Sequence, residues 1–160
     1  LWHLFYVKSH GRANLEKNAW ALDGFPLWWA QLNGEQPPPS EQPPELALAR
    51  AAMPADFSAD SVRDWYRSRQ RFGDDKVRAL AWTGLAALAE THGREACQKF
   101  LASMLEPSFS KDARGWLHDA LNPMPHRFRV AAGLDLASFV PEWRAAVMKE
   151  ASKPTAQAAL

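Results

Sequence analysis

In the segment GDDKVRALAWTGLAALAETHG (73–93), Val77, Leu80, Ala81, Gly84, Leu85 and Leu88 recur at i, i+3, i+4 and i+7. A helix with one apolar stripe must lay that stripe on another element, and this requirement constrains the fold more than any other feature. Asp74 and Asp75 suit the positive N-terminal end of this helix, and Gly93 suits its C-terminal cap. Gly84 interrupts the stripe, although alanine there would favour the helix by about 1 kcal/mol. Its presence predicts that another helix backbone comes close at this point. The partner stripe is Leu136, Phe139, Val140, Trp143 and Val147, in a helix expected over 135–149. Pro141 must then lie in a first turn or at a kink. No convincing alternating stretch appears anywhere, so the expected class is all-α, an irregular multi-helix bundle.

Breakers divide the rest into further helices. Residues 1–10 read as an apolar helix closed by Gly11, and 15–33 as a second with a turn or kink near Gly24 and Pro26. ELALARAAM (45–53) reads as a short helix. Ser58 or Asp60 is placed to cap a helix ending at Gly73. REACQKFLASML reads as a helix stopped by Pro107, and KDARGWLHDAL as one ending before Asn122 and Pro123. Five prolines fall between positions 37 and 44, so that stretch is expected to be extended and solvated, as a linker, a long surface loop or a ligand for a proline-binding domain. The tail 152–160 looks frayed. The expected organisation is a first helical unit over 1–33, a proline-rich connection over 34–44 and a helical unit over 45–151.

The composition narrows the chemistry. The 160 residues carry a formal net charge of +1, so no strong field points to nucleic acid or an anionic membrane. No apolar run approaches a membrane span. The single cysteine, Cys97, excludes an internal disulfide, and within an amphipathic helix it reads as a buried, inert thiol. Eight tryptophans at helical spacing are expected to fill a core. Arg63, Arg67 and Arg71 lie four apart and share one face; with no aromatic on their stripe they read as a solvated face rather than a nucleic-acid patch. No G-x-S-x-G and no phosphate-cradling glycine loop is present. Of the histidines His3, His10, His92, His118 and His126, His92 and His118 read as helix-end or surface residues, and His126 as part of a proline-flanked loop.

His3 stands apart because of the segment about twenty residues downstream of it. The run W-A-L-D-G-F (20–25) resembles the W-x-x-E-G-F segment of the gluzincin metallopeptidases, the clan that includes aminopeptidase N-like enzymes. ALAWTGLAALAETHGREACQKFL is similar to the helix pair that lies beyond the zinc site in peptidase-MA-like domains, and RVAAGLDLASFVPEWRAAV to their closing element. In that family one helix carries H-E-x-x-H, whose two histidines share a face and bind zinc while the glutamate serves as general base. The glutamate of W-x-x-E-G supplies the third ligand. The resemblance implies His3 as the second histidine and Asp23, 20 residues on, as the third ligand. The first histidine would then fall two positions ahead of Leu1, with the base glutamate directly before Leu1. It further implies that the chain begins inside a helix, as the C-terminal part of a longer protein, with no catalytic residue of its own and little activity alone.

Two positions depart from the family pattern. Aspartate is one methylene shorter than glutamate, so the helix bearing Asp23 must approach more closely. Where the family often places an aromatic oxyanion donor, this chain has Ala81 and Trp82, which leaves Trp82 as a substrate-pocket residue. The function implied is that of a zinc-dependent hydrolase of peptide bonds, with zinc as cofactor of the parent protein and a peptide or protein as substrate. The alternative is a non-catalytic α-helical interaction domain, in which His3 is a core residue and Asp23 belongs to a turn before Gly24.

Overall fold

The computed structural model describes residues 19–34, 48, 50–104 and 123–151. Among the described residues there are seven helices and no strand: α1 Ala19–Asn33, α2 Ala59–Arg63, α3 Trp65–Phe72, α4 Asp74–Thr91, α5 Arg94–Ser103, α6 Pro123–Ala132 and α7 Leu136–Ala151. The all-α class is as the periodicity requires. The expectations for 1–18, for the prolines at 37–44, for 111–121 and for the tail 152–160 lie outside the described residues.

Helix α4 is the axis of the bundle. Its stripe residues Val77, Leu80, Ala81, Leu85 and Leu88 are all buried. They pack against α1 on one side and α7 on another, with α3 and α5 completing the surround. The expected pairing of 74–91 with the C-terminal helix is present. At its centre Trp143 is fully buried, and its indole N–H donates to Thr83 Oγ1 of α4 at 3.0 Å. Trp20, Phe57 and Phe139 surround that indole, with ring centroids 5.8, 5.2 and 6.0 Å away. Phe100 and Phe128 extend the aromatic core toward α5 and α6.

The glycines divide the close approaches differently from expectation. Gly84 admits side chains: a Cβ there would lie 2.8 Å from Trp143 Cζ2 and 2.9 Å from Trp20 Cζ3. The backbone-to-backbone approach is at Gly24, where a Cβ would meet the Ala81 carbonyl group and lie 2.8 Å from Trp82 N. Helix α1 runs continuously through Gly24 and Pro26.

Three local expectations are corrected. The single helix expected from 58 to 73 is two, divided at Asp64, whose carboxylate accepts the Arg67 backbone N–H at 3.0 Å and caps α3 anew. The break takes Arg63 off the face of Arg67 and Arg71: Arg63 pairs with Asp60, and Arg71 with Asp56. Residues 51–53 are not helical, and Pro54 disfavours the helical region for Met53, the residue before it. Three carbonyls of that loop, at Pro54, Ala55 and Phe57, accept from the Arg144 guanidinium instead. His126 lies in a helix, α6, not a loop. Prolines 123 and 125 fall in its first turn, where the missing N–H groups would have no helical partner anyway. Pro141 sits beyond the first turn of α7, so the carbonyl of Ala137 loses its usual donor.

Candidate functional site

Asp23 lies in the middle of α1, on the flank that turns toward α3. Its side chain is 16% exposed. Trp20 and Gly24 face the core, Trp20 toward Phe100 and Trp143, and Gly24 toward the α4 backbone. The W-A-L-D-G-F segment therefore anchors α1 through its tryptophan and glycine, and its carboxylate projects sideways.

Two residues of α3 hold that carboxylate. The Trp65 indole N–H donates to Asp23 Oδ2 at 2.7 Å, and one amino group of Arg69 bonds the same oxygen. No hydrogen bond reaches Asp23 Oδ1 from any described residue. Trp65 is itself buried and packs edge-on against Phe57, so its N–H direction is fixed by the core. The other amino group of Arg69 stands 3.9 Å from Asp74 Oδ1, at the first residue of α4. Arg69 Nε is buried and has no hydrogen-bond partner among the described residues.

Trp82 is buried, and its N–H donates to Gln31 Oε1 of α1 at 3.0 Å. That donor is already used, so it is not available to an oxyanion. The ring does line a cavity of about 380 Å³ between α1, α4 and α7, with Gln31, Thr83, Ala86, Glu90 and Val147. Gln31 lies two helical turns beyond Asp23, so the cavity is roughly 12 Å along α1 from the carboxylate. The two are separate features of the surface.

His3, the other residue implied as a metal ligand, lies outside the described residues. Among the described residues no three His, Cys, Asp or Glu side chains gather as a metal group. The donor chemistry at Asp23 is still of the right kind. A carboxylate with one oxygen tied by hydrogen bonds and the other open matches how ligating carboxylates are oriented by outer partners. The Arg69 guanidinium is the unusual element, because it neutralises that carboxylate with a cation from the protein itself.

Sequence reasoning did not single out Trp65 or Arg69. The arginines it singled out, at 63, 67 and 71, serve local ion pairs or face solvent. The usable signal was the i, i+4 spacing of Trp65 and Arg69, which puts an indole donor and a guanidinium on the opposite, inward-turned side of α3.

Elsewhere the titratable groups serve packing. Cys97 is fully buried, and burial pushes its thiol up to about 12. His92 caps the end of α4, with Nε2 2.6 Å from Glu142 Oε2 of α7. Among the described residues no helix is long and apolar enough to cross a membrane. Comparison of the chain with family models, with curated proteins and with solved structures finds no match.

Proposed function

We propose that this chain is the C-terminal helical part of a zinc metallopeptidase, in which Asp23 serves as the carboxylate ligand, His3 as one of the two histidines, and the other histidine and the general base come from the part of the same helix that would precede Leu1. The observation that supports the reading best is the state of Asp23. It is largely sheltered and fixed by Trp65 and Arg69 through one oxygen, while no described residue bonds the other. The described residues around it supply no general base and no nucleophile, so the chain alone is expected to be inactive. The zinc ion, when bound, would activate a water molecule for attack on a peptide carbonyl. This chain's own contribution would be to aim the Asp23 carboxylate through Trp65 and Arg69. Trp82 lines a cavity in which a substrate side chain would fit, as a wall and not as a hydrogen-bond donor.

A second reading is favoured by the Arg69 contact. A carboxylate already compensated by a guanidinium is also how a structural ion pair looks, and the chain would then be a non-catalytic helical interaction domain. The residues translated ahead of Leu1 in the natural protein separate the two, and peptide mapping reads them directly. The metallopeptidase reading expects His-Glu-Leu-Trp-His around the start of this chain, with His-Glu immediately before Leu1. Any other pair there rejects it in favour of the non-catalytic domain.

A further inference from the structure

We propose that loop 51–57 is a strap that opens as a unit while the helices stay folded, that Arg144 of α7 is its latch, and that closure of the strap aims the Trp65 indole at Asp23. The inference concerns a conformational device within the chain and holds under either functional reading above.

The loop precedes α2, and its backbone bonds are local. Ala51 N–H donates to the Leu48 carbonyl at 3.2 Å, and Phe57 N–H to that of Pro54 at 3.0 Å. Among the described residues no backbone hydrogen bond ties the loop to another element. Side chains hold it instead. One amino group of Arg144 donates to the Pro54 carbonyl at 3.0 Å. The other donates to the Phe57 carbonyl at 2.8 Å and to that of Ala55 at 3.4 Å. A planar fork is thus matched to three converging carbonyls, which a single ammonium would not reproduce. At the outer edge Asp56 pairs with Arg71 of α3, and both side chains are exposed.

Arg144 differs from other arginines of the fold. Arg50, Arg63, Arg71 and Arg129 each pair with an aspartate. No carboxylate among the described residues pairs with Arg144, and its half-buried charge is met by the strap carbonyls alone. The latch can therefore be released without separating an ion pair, which places the strap at the low end of local stability. Closure seats Met53 and Phe57 in the core. The Phe57 ring stands edge-on to Trp65 and to Trp143, with ring centroids 6.4 and 5.2 Å away. Trp65 in turn donates its N–H to Asp23 Oδ2 at 2.7 Å. Lifting the strap withdraws the Phe57 ring and leaves the Trp65 indole free to turn from Asp23. Arg144 thereby acts as a positioning residue for Asp23, through Phe57 and Trp65.

The chain carries its own reference for wider opening, because Cys97 is fully buried in α5. Met53→Cys adds a second buried thiol, in the strap. The folded full chain is labelled with an aromatic disulfide reagent at about pH 8, and peptide mapping reads the rate at each thiol. The strap thiol should react at least about tenfold faster than Cys97. Phe128→Leu, in the core of α6, should speed Cys97 and leave the strap rate unmoved. Arg144→Gln should speed the strap thiol by about tenfold, since bonds to a charged donor are lost. With Met53 intact, the Trp65 indole N–H is assigned in a ¹H–¹⁵N spectrum through Trp65→Phe. Its exchange with solvent should quicken by a similar factor in Arg144→Gln and stay unchanged in Phe128→Leu. Equal rates at the two thiols, or a strap rate that follows Cys97 in Phe128→Leu, overturn the strap. An unmoved strap rate in Arg144→Gln overturns the latch, and an unmoved Trp65 exchange there overturns the link to Asp23. If Arg144→Gln loses its dispersed indole signals, Arg144→Lys decides. It keeps the charge without the fork and should speed the strap thiol by about threefold; an unmoved rate overturns the latch.

Discussion

Replacing Gly24 by alanine tests whether α1 and α4 meet backbone to backbone. In a mid-helix position with free space, glycine to alanine stabilises by about 1 kcal/mol. Gly24 has no such space. A Cβ would lie 2.5 Å from the Ala81 carbonyl carbon and 2.8 Å from Trp82 N, and neither is a flexible side-chain end that moves aside. Carbon contacts are comfortable only from about 3.5 Å, so the two helices must separate by about 1 Å along their most extensive contact. Overpacking of this kind costs about 1–3 kcal/mol and sometimes more, and a radial gap of that size forfeits a quarter to a half of each dispersion contact it opens. Contact with rigid backbone puts this position at the upper end of that range, so after the helix-propensity gain is deducted Gly24→Ala is expected to destabilise by about 2 kcal/mol. With a urea m-value of about 2 kcal/mol/M, the midpoint of equilibrium unfolding falls by about 1 M. A midpoint that is unchanged or raised would refute the close approach, and with it the placement of the D-G-F segment against α4.

Trp143→Ala should destabilise by about 3–5 kcal/mol in the same assay, because the indole is fully buried among three aromatic rings; a loss under about 1 kcal/mol would put Trp143 outside the core. Thr83→Val should cost about 1–3 kcal/mol by leaving the buried Trp143 N–H without an acceptor; a neutral substitution would show that the bond contributes nothing. Cys97 should resist thiol reagents at pH 8 in the native protein and react on unfolding, since its thiol is buried and raised to about 12. The folded state holds that proton more tightly than the unfolded state. The stability it contributes is thus complete below about pH 9 and is lost between pH 9 and 12, at up to about 1.4 kcal/mol per unit. Rapid labelling of the native protein, or stability independent of pH across that window after other groups are accounted for, would contradict the burial.

The part of the fold legible in the sequence was the part written in helical periodicity. The stripes on 74–91 and on the C-terminal helix name each other as partners, because neither has another way to cover its apolar face. Boundaries set by a single side chain were harder to see. Asp64 splits one expected helix into two by capping backbone N–H groups, and an aspartate in mid-sequence looks the same whether it caps or faces water. Prolines 123 and 125 read as breakers, yet at the start of a helix their missing donors cost nothing. Gly84 signalled the approach of a backbone and Gly24 a turn or kink; only the three-dimensional arrangement shows that indoles fill the space at Gly84 and that the backbone approach is at Gly24. The candidate site was half legible. Asp23 stood out beside Trp20 and Gly24, whereas its partners Trp65 and Arg69 lie 42 and 46 residues away, and no local pattern carries a contact over that distance.

Metal content tests the proposed role of Asp23 as a metal ligand in a zinc-peptidase-like arrangement. The chain is prepared with a His-Glu pair ahead of Leu1 on enough added sequence to extend the helix, with and without Asp23→Asn. Asparagine keeps an acceptor for the Trp65 N–H, so that variant should stay folded, as urea unfolding would check. The account predicts about one zinc per chain, from three protein ligands and an open fourth position, and its loss in the Asp23→Asn variant. An extended chain that stays free of zinc, or that holds it equally well without the carboxylate, would contradict the account.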